Sequence, residues 1–204
     1  MRMLDLDQLR EIAATPWRPV SFTAFAAGLV TLVALAVAVG RGEGWVPLLD
    51  SVNLAFHEAG HPLVGLFSTR LEPYGGTLFQ LGIPCLVIAS FWLRRDALGA
   101  SLATGWLAEN LHNVARYMAD ARAQVLPLVG GGEHDWFHIF IRWNLLGSDT
   151  RIAACVRALG WAGLLASSGW LAWRWRQTSQ ARSPAPAAPH RSAASRPTAR
   201  RARR

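Results

Sequence analysis

The chain alternates between long apolar runs and short polar breaks, and the runs are about as long as a bilayer is thick. Residues 20–39, "VSFTAFAAGLVTLVALAVAV", carry no charge. About 20 apolar residues in helical conformation cross the hydrocarbon core, so this run predicts a membrane helix. It is longer than the apolar part of a signal peptide, and the leader before it contains acids. A second helix is predicted from about Asp50 to Phe67, and "STRLEPYGGT" after it reads as a turn, with Pro73, Gly75 and Gly76 as breakers. A third run covers 77–93 with Pro84 inside it, tolerated where neighbours satisfy the freed carbonyl. "RRDA" at 94–97 is a tight polar loop, and a fourth helix runs from about Leu98 to Gln124. Residues 127–150 begin as a glycine loop and continue as an amphipathic or re-entrant segment. A fifth run, 152–173, ends among Trp170, Trp173 and Trp175, like an interfacial aromatic belt.

The expected fold is therefore all-α, a polytopic membrane helix bundle with about five transmembrane helices. Residues 1–19 form an amino-terminal surface segment and 20–176 the transmembrane domain. Residues 177–204, rich in Arg, Ala and Pro, have nothing to bury and read as a disordered tail.

Charge adds an orientation. All 21 basic residues are Arg. Residues 1–173 hold 12 Arg against 13 acids, and the remaining nine Arg lie in 174–204 with no acid. With five spans, Arg94, Arg95 and the tail share one side, which the positive-inside rule makes cytoplasmic. The amino terminus then faces the other side. The Arg-only, Ala- and Trp-rich composition points to a bacterial inner membrane. The expected partners are the bilayer and a membrane-protein substrate, with no nucleic acid. Cys85 and Cys155 lack metal-type spacing and read as small buried hydrophobes rather than a disulfide.

The second helix changes the picture. "SVNLAFHEAGHPLVGLFSTR" at 51–70 places His57, Glu58 and His61 inside an apolar run. Ionisable groups at membrane depth cost about 2.5–3.5 kcal/mol or more each and mark function by default. Imidazoles at i and i+4 share a helix face and can bind one metal ion. Glu58, one residue on, can reach a water on that metal without being a ligand, the arrangement by which Zn²⁺ and a carboxylate generate a nucleophile.

A catalytic zinc site takes three protein ligands, so another residue must join. On the fourth helix Glu109, Asn113, Arg116 and Asp120 share one face, and Asn53 extends the polar face of the second. Asp120 is the preferred third ligand. The loop "GGGEHDWFH" offers Glu133, His134, Asp135 and His138 as rivals, with His134 foremost. Asn53, Asn113 and Arg116 are candidates to support a developing oxyanion. The core of the site thus spans residues 50–138.

"HEAGH" in a membrane helix, a glycine-bearing turn, a following helix and an Asp closing a later helix resemble the site-2 protease family of intramembrane zinc metalloproteases. The resemblance covers residues 50–124. It implies zinc ligation by His57 and His61, general-base catalysis by Glu58, and hydrolysis of peptide bonds in membrane-protein substrates. The family's L-D-G and N-x-x-P motifs are absent, and Asp120 stands in "MADARAQ". Two other classes share the metal motif. One is a membrane metal-binding or scaffold protein without hydrolysis. The other is a His-cage di-iron oxygenase built on the His57/His61 and His134/His138 pairs.

Overall fold

The computed structural model describes residues 6–42, 45–129 and 132–182. Among them the chain is helical with no strand: α1 (Leu6–Ala14), α2 (Phe22–Arg41), α3 (Leu49–Gly65), α4 (Glu72–Leu93), α5 (Ala97–Ala119), α6 (Asp135–Arg142) and α7 (Asp149–Arg182), with a 3₁₀ turn at Leu146–Ser148. Three starts are capped by side chains, Ser21 accepting from the Ala24 amide, Asp96 from the Gly99 amide and His134 from the Phe137 amide.

α2, α4 and the segment Leu146–Ala181, which holds all but the last residue of α7, are long and apolar enough to cross a membrane, which fits a membrane protein. The other two expected spans, α3 and α5, are not among these. Contacts give the directions. Gly28 faces Leu98, and Gly105 faces Leu32, so α2 and α5 run parallel. Gly160 faces His112, and Gly163 faces Ala108, so α7 runs against α5. α4 and α5 form a hairpin, with Phe91 against Gly99 at its turn. α3 pairs antiparallel with α4: Gly60 meets Gly75, and the His61 ring meets the carbonyl of Glu72.

It follows that α3 runs parallel to α5 and to α2, the helix just before it. Its first turn lies beside the middle of α5, where Asn53 bonds Glu109 and Trp106. So α3 enters the bundle part-way down and returns towards the end where α2 finishes. Its 17 residues fall short of the candidate spans. The termini change accordingly. Arg18 donates its amide to the Arg95 carbonyl, and Trp17 packs edge-on against Trp92 and Trp170. The segment before α2 therefore gathers with the α4–α5 turn and the carboxyl end of α7, not at the opposite end as five spans would require.

The 68–77 turn is shorter than its breakers predict. Pro73 sits in the first turn of α4, where a missing N–H costs nothing. Gly75 and Gly76 are helical because α3 packs on them. A Cβ on Gly75 would lie 2.4 Å from the Gly60 carbonyl oxygen. Small residues also seat α5 on α7, where a Cβ on Gly163 would meet the Ala108 Cβ at 2.9 Å. α5 ends at Ala119 rather than near Gln124, and α7 continues through 177–182, which the composition assigns to the tail. The rest of that tail lies outside the described residues. Cys85 and Cys155 are unpaired and exposed on their helices rather than buried. In a bundle facing lipid the apolar side chains can point outward, so apolar surroundings in sequence do not imply burial.

Candidate metal centre

α3 is polar on its inner face. Asp50, Asn53, His57 and Gly60 are its buried residues, while Val52, Leu63, Leu66 and Phe67 point outward. The helix period alone puts the three polar side chains in the bundle.

His57 and His61 come together with Asp135, the first residue of α6. One ligand atom from each lies within 4.8 Å of the others, and this group could hold a metal ion. Asp135 Oδ2 is 3.0 Å from His57 Nε2 and 3.3 Å from His61 Nε2. Tetrahedral ligands about 2.0–2.1 Å from zinc stand about 3.3 Å apart, so both edges are near those of a loaded site. The far side of each ring is committed. Gln80 donates through Nε2 to Asn113 Oδ1 at 2.9 Å, which turns its Oε1 towards His57 Nδ1 at 3.1 Å. His61 Nδ1 is 3.0 Å from the Glu72 carbonyl oxygen. Both Nδ1 atoms therefore face acceptors and carry the hydrogen. Both Nε2 atoms face the carboxylate, a contact that a proton on the ring or a metal ion between the three groups satisfies. Second-partner bonds of this type are what orient metal-ligating histidines.

Asp135 is held by its own backbone, its amide donating to the Tyr117 hydroxyl at 3.1 Å. Burial pushes its carboxyl up, but the bonds to His57 and His61 outweigh this and leave it below the ordinary carboxylate range. Glycine makes room for the cluster: a Cβ on Gly76 would lie 2.5 Å from His57 Nε2. Gly76 is four residues into α4, so the site sits about 6 Å along the axis from that helix's start. It therefore lies near the end of the bundle opposite the Arg94–Arg95 turn.

Two cavities meet here, both lined by His57, Glu58 and Tyr117. One, of about 380 Å³, is walled by Trp45, Leu54 and the Leu126–Val129 segment. The other, of about 500 Å³, is more polar and reaches Glu133 and Arg142. Glu58 is half-buried and makes no hydrogen bond or ion pair among the described residues.

Asp120, the expected third ligand, is engaged elsewhere. Its carboxylate accepts from the Val125 and Leu126 amides, both at 3.0 Å, and so folds the loop after α5. The short polar run after α5 needs partners for those amides, and a terminal Asp supplies them. His134, the other candidate, is the N-cap of α6: its Nδ1 accepts from the Phe137 amide, and its ring packs on Tyr117 at 4.1 Å. Burial lowers its basicity. His138 faces Glu133 at 2.6 Å, so the second H-x-x-x-H pair adds no imidazole to the His57–His61 group. Of the supporting candidates, Asn113 reaches the site through Gln80. Asn53 does not, since it ties α3 to α5 by bonding Asp50, Glu109, Trp106 and Asn110. Arg116 borders the smaller cavity with its guanidinium 5.8 Å from the Trp45 ring.

Comparison of the chain with family models, curated proteins and solved structures finds no match in any of the three.

Proposed function

We propose that the protein is a membrane-embedded zinc metallopeptidase resembling the site-2 proteases, with His57, His61 and Asp135 as ligands and Glu58 as general base. The observation that carries this reading is the pair of Nε2 atoms, locked by Gln80 and Glu72, converging on Asp135 beside an unpaired glutamate. Zinc prefers such a nitrogen-and-oxygen donor set, and when bound it acidifies a water and polarises a carbonyl. Glu58 accepts the proton of the attacking water at a carboxylate oxygen and later passes it to the leaving amine. The balance is one peptide bond and one water in, one acid and one amine out. Trp45, Leu54 and the Leu126–Val129 segment give an unwound apolar peptide a wall beside the scissile bond. Tyr117 borders both cavities, and its hydroxyl holds the Asp135 backbone.

In this reading α2, α4, α5 and α7 cross the membrane and α3 dips in and returns. The Arg-rich end, with Arg94, Arg95, Arg174 and Arg176, faces the cytoplasm of a bacterial inner membrane. The site then opens near the outer face, and substrates are cut close to that boundary.

The experiment compares wild type and Glu58→Gln on a membrane-spanning peptide reporter in detergent, with zinc measured in the same samples. The expected result is equal zinc and a fall in cleavage of at least about 100-fold. Equal cleavage by both proteins refutes the general-base role. Zinc retention without cleavage by wild type favours a metal-binding protein that does not hydrolyse.

A further inference from the structure

A third cavity, of about 490 Å³, lies between α2, α5 and α7 and belongs to none of the chemistry above. Val39, Gly40, His112, Arg116, Arg157 and Trp161 line it, and no acidic side chain does. Arg116 and Arg157 form no hydrogen bond or ion pair among the described residues. Arg157 is exposed, so its guanidinium is free to turn towards a ligand. His112 is only 2% exposed, and its Nε2 has no hydrogen-bond partner. That nitrogen is sealed from the cavity against Gly160, where an added Cβ would lie 2.7 Å from it. Trp161 packs edge-on against the His112 ring at 4.7 Å, which holds the imidazole in place against the cavity wall.

The location narrows the ligand. Val39 and Gly40 are within one turn of the end of α2 at Arg41, so the cavity stands where a spanning helix leaves the hydrocarbon. Two guanidiniums with no acid among the lining side chains suit a phosphate group, which takes several charge-assisted bonds at once. Val39 and the Trp161 ring offer apolar surface beside them.

We propose that this cavity is a phosphate-binding site at headgroup depth, with Arg116 and Arg157 as its donors and an anionic phospholipid or a free phosphate as its ligand. Arg116 also borders the smaller cavity of the metal centre, whereas Arg157 lines this cavity and neither of the other two.

Arg157 is the residue to change, because it is exposed and touches no part of the metal centre. Wild type, Arg157→Gln and Arg157→Lys are released from detergent micelles in a mass spectrometer after incubation with phosphatidylglycerol. Separately, inorganic phosphate is titrated in phospholipid-free detergent and thermal unfolding is followed. Phosphatidylglycerol retention that falls about fivefold or more in Arg157→Gln and stays near wild type in Arg157→Lys supports the lipid source. A phosphate-dependent rise in Tm lost in Arg157→Gln supports the free anion. Failure of wild type to respond to either probe overturns the proposal. So does an Arg157→Gln protein that binds both as wild type does, or an Arg157→Lys protein as weak as Arg157→Gln.

Discussion

Gly76→Ala puts a single methyl group against the metal centre. The added Cβ would lie 2.5, 2.6 and 2.7 Å from Nε2, Cε1 and Cδ2 of His57. Non-bonded heavy atoms rest at about 3.5 Å or more, so the ring must retreat by about 1 Å or α3 must lift off α4. Metal sites tolerate about 0.2 Å in ligand distance. Retreat of the ring therefore removes His57 as a ligand, and zinc affinity should fall at least about 100-fold, beyond what losing an outer partner costs. Lifting the helix instead costs about 1–3 kcal/mol of overpacking strain and shows as a lower Tm. Gly82→Ala is the control on the same helix, because nothing lies within 4 Å of its added Cβ. That variant should keep zinc and gain about 0.5–1 kcal/mol of stability from lower backbone entropy. Zinc competition against a chromophoric chelator, with Tm in parallel, reads both. A Gly76→Ala protein that binds zinc within about twofold of wild type at unchanged Tm would refute the close packing of His57 on α4.

Gln80→Leu removes the acceptor at His57 Nδ1 and frees the imidazole to change tautomer, so zinc affinity should drop about 10–100-fold in the same competition assay. Asp120→Ala leaves the Val125 and Leu126 amides without their carboxylate and should cost about 1–3 kcal/mol in denaturant unfolding, with zinc content unchanged; loss of zinc would return Asp120 to the ligand set. Zinc affinity should weaken as pH falls, because metal ligands must be deprotonated to bind. Each proton released on binding contributes about tenfold per pH unit, and a Kd that stays flat through the imidazole range would contradict ligation by these nitrogens.

The parts of the fold that rest on local pattern were legible. The uncharged α2 run, the capped start of α5 at Asp96 and the inward polar face of α3 all follow from helix period and composition. The His57–Glu58–His61 arrangement followed from spacing alone. What depended on three-dimensional direction was not. That α3 is 17 residues long and starts beside the middle of α5 cannot be read from its apolar run, because only its pairing with α4 and α5 sets its direction and depth. Gly75 and Gly76 read as turn residues because breakers carry no label for close packing. The glycine loop was a named source of the third ligand, yet its register hid which neighbour turns inward. His134 caps α6 through Nδ1, and that places Asp135 at the first helical position, facing the two imidazoles. A His-Asp pair before an amphipathic "WFHIF" run is the signal that points to it: the cap is spent on the backbone and the next residue is available.

The most direct test is the zinc content of purified wild type, His57→Ala, Asp135→Ala and Asp120→Ala. Wild type and Asp120→Ala should carry equimolar zinc, and His57→Ala and Asp135→Ala should lose it. Zinc retained by Asp135→Ala but lost from Asp120→Ala would contradict ligation by Asp135.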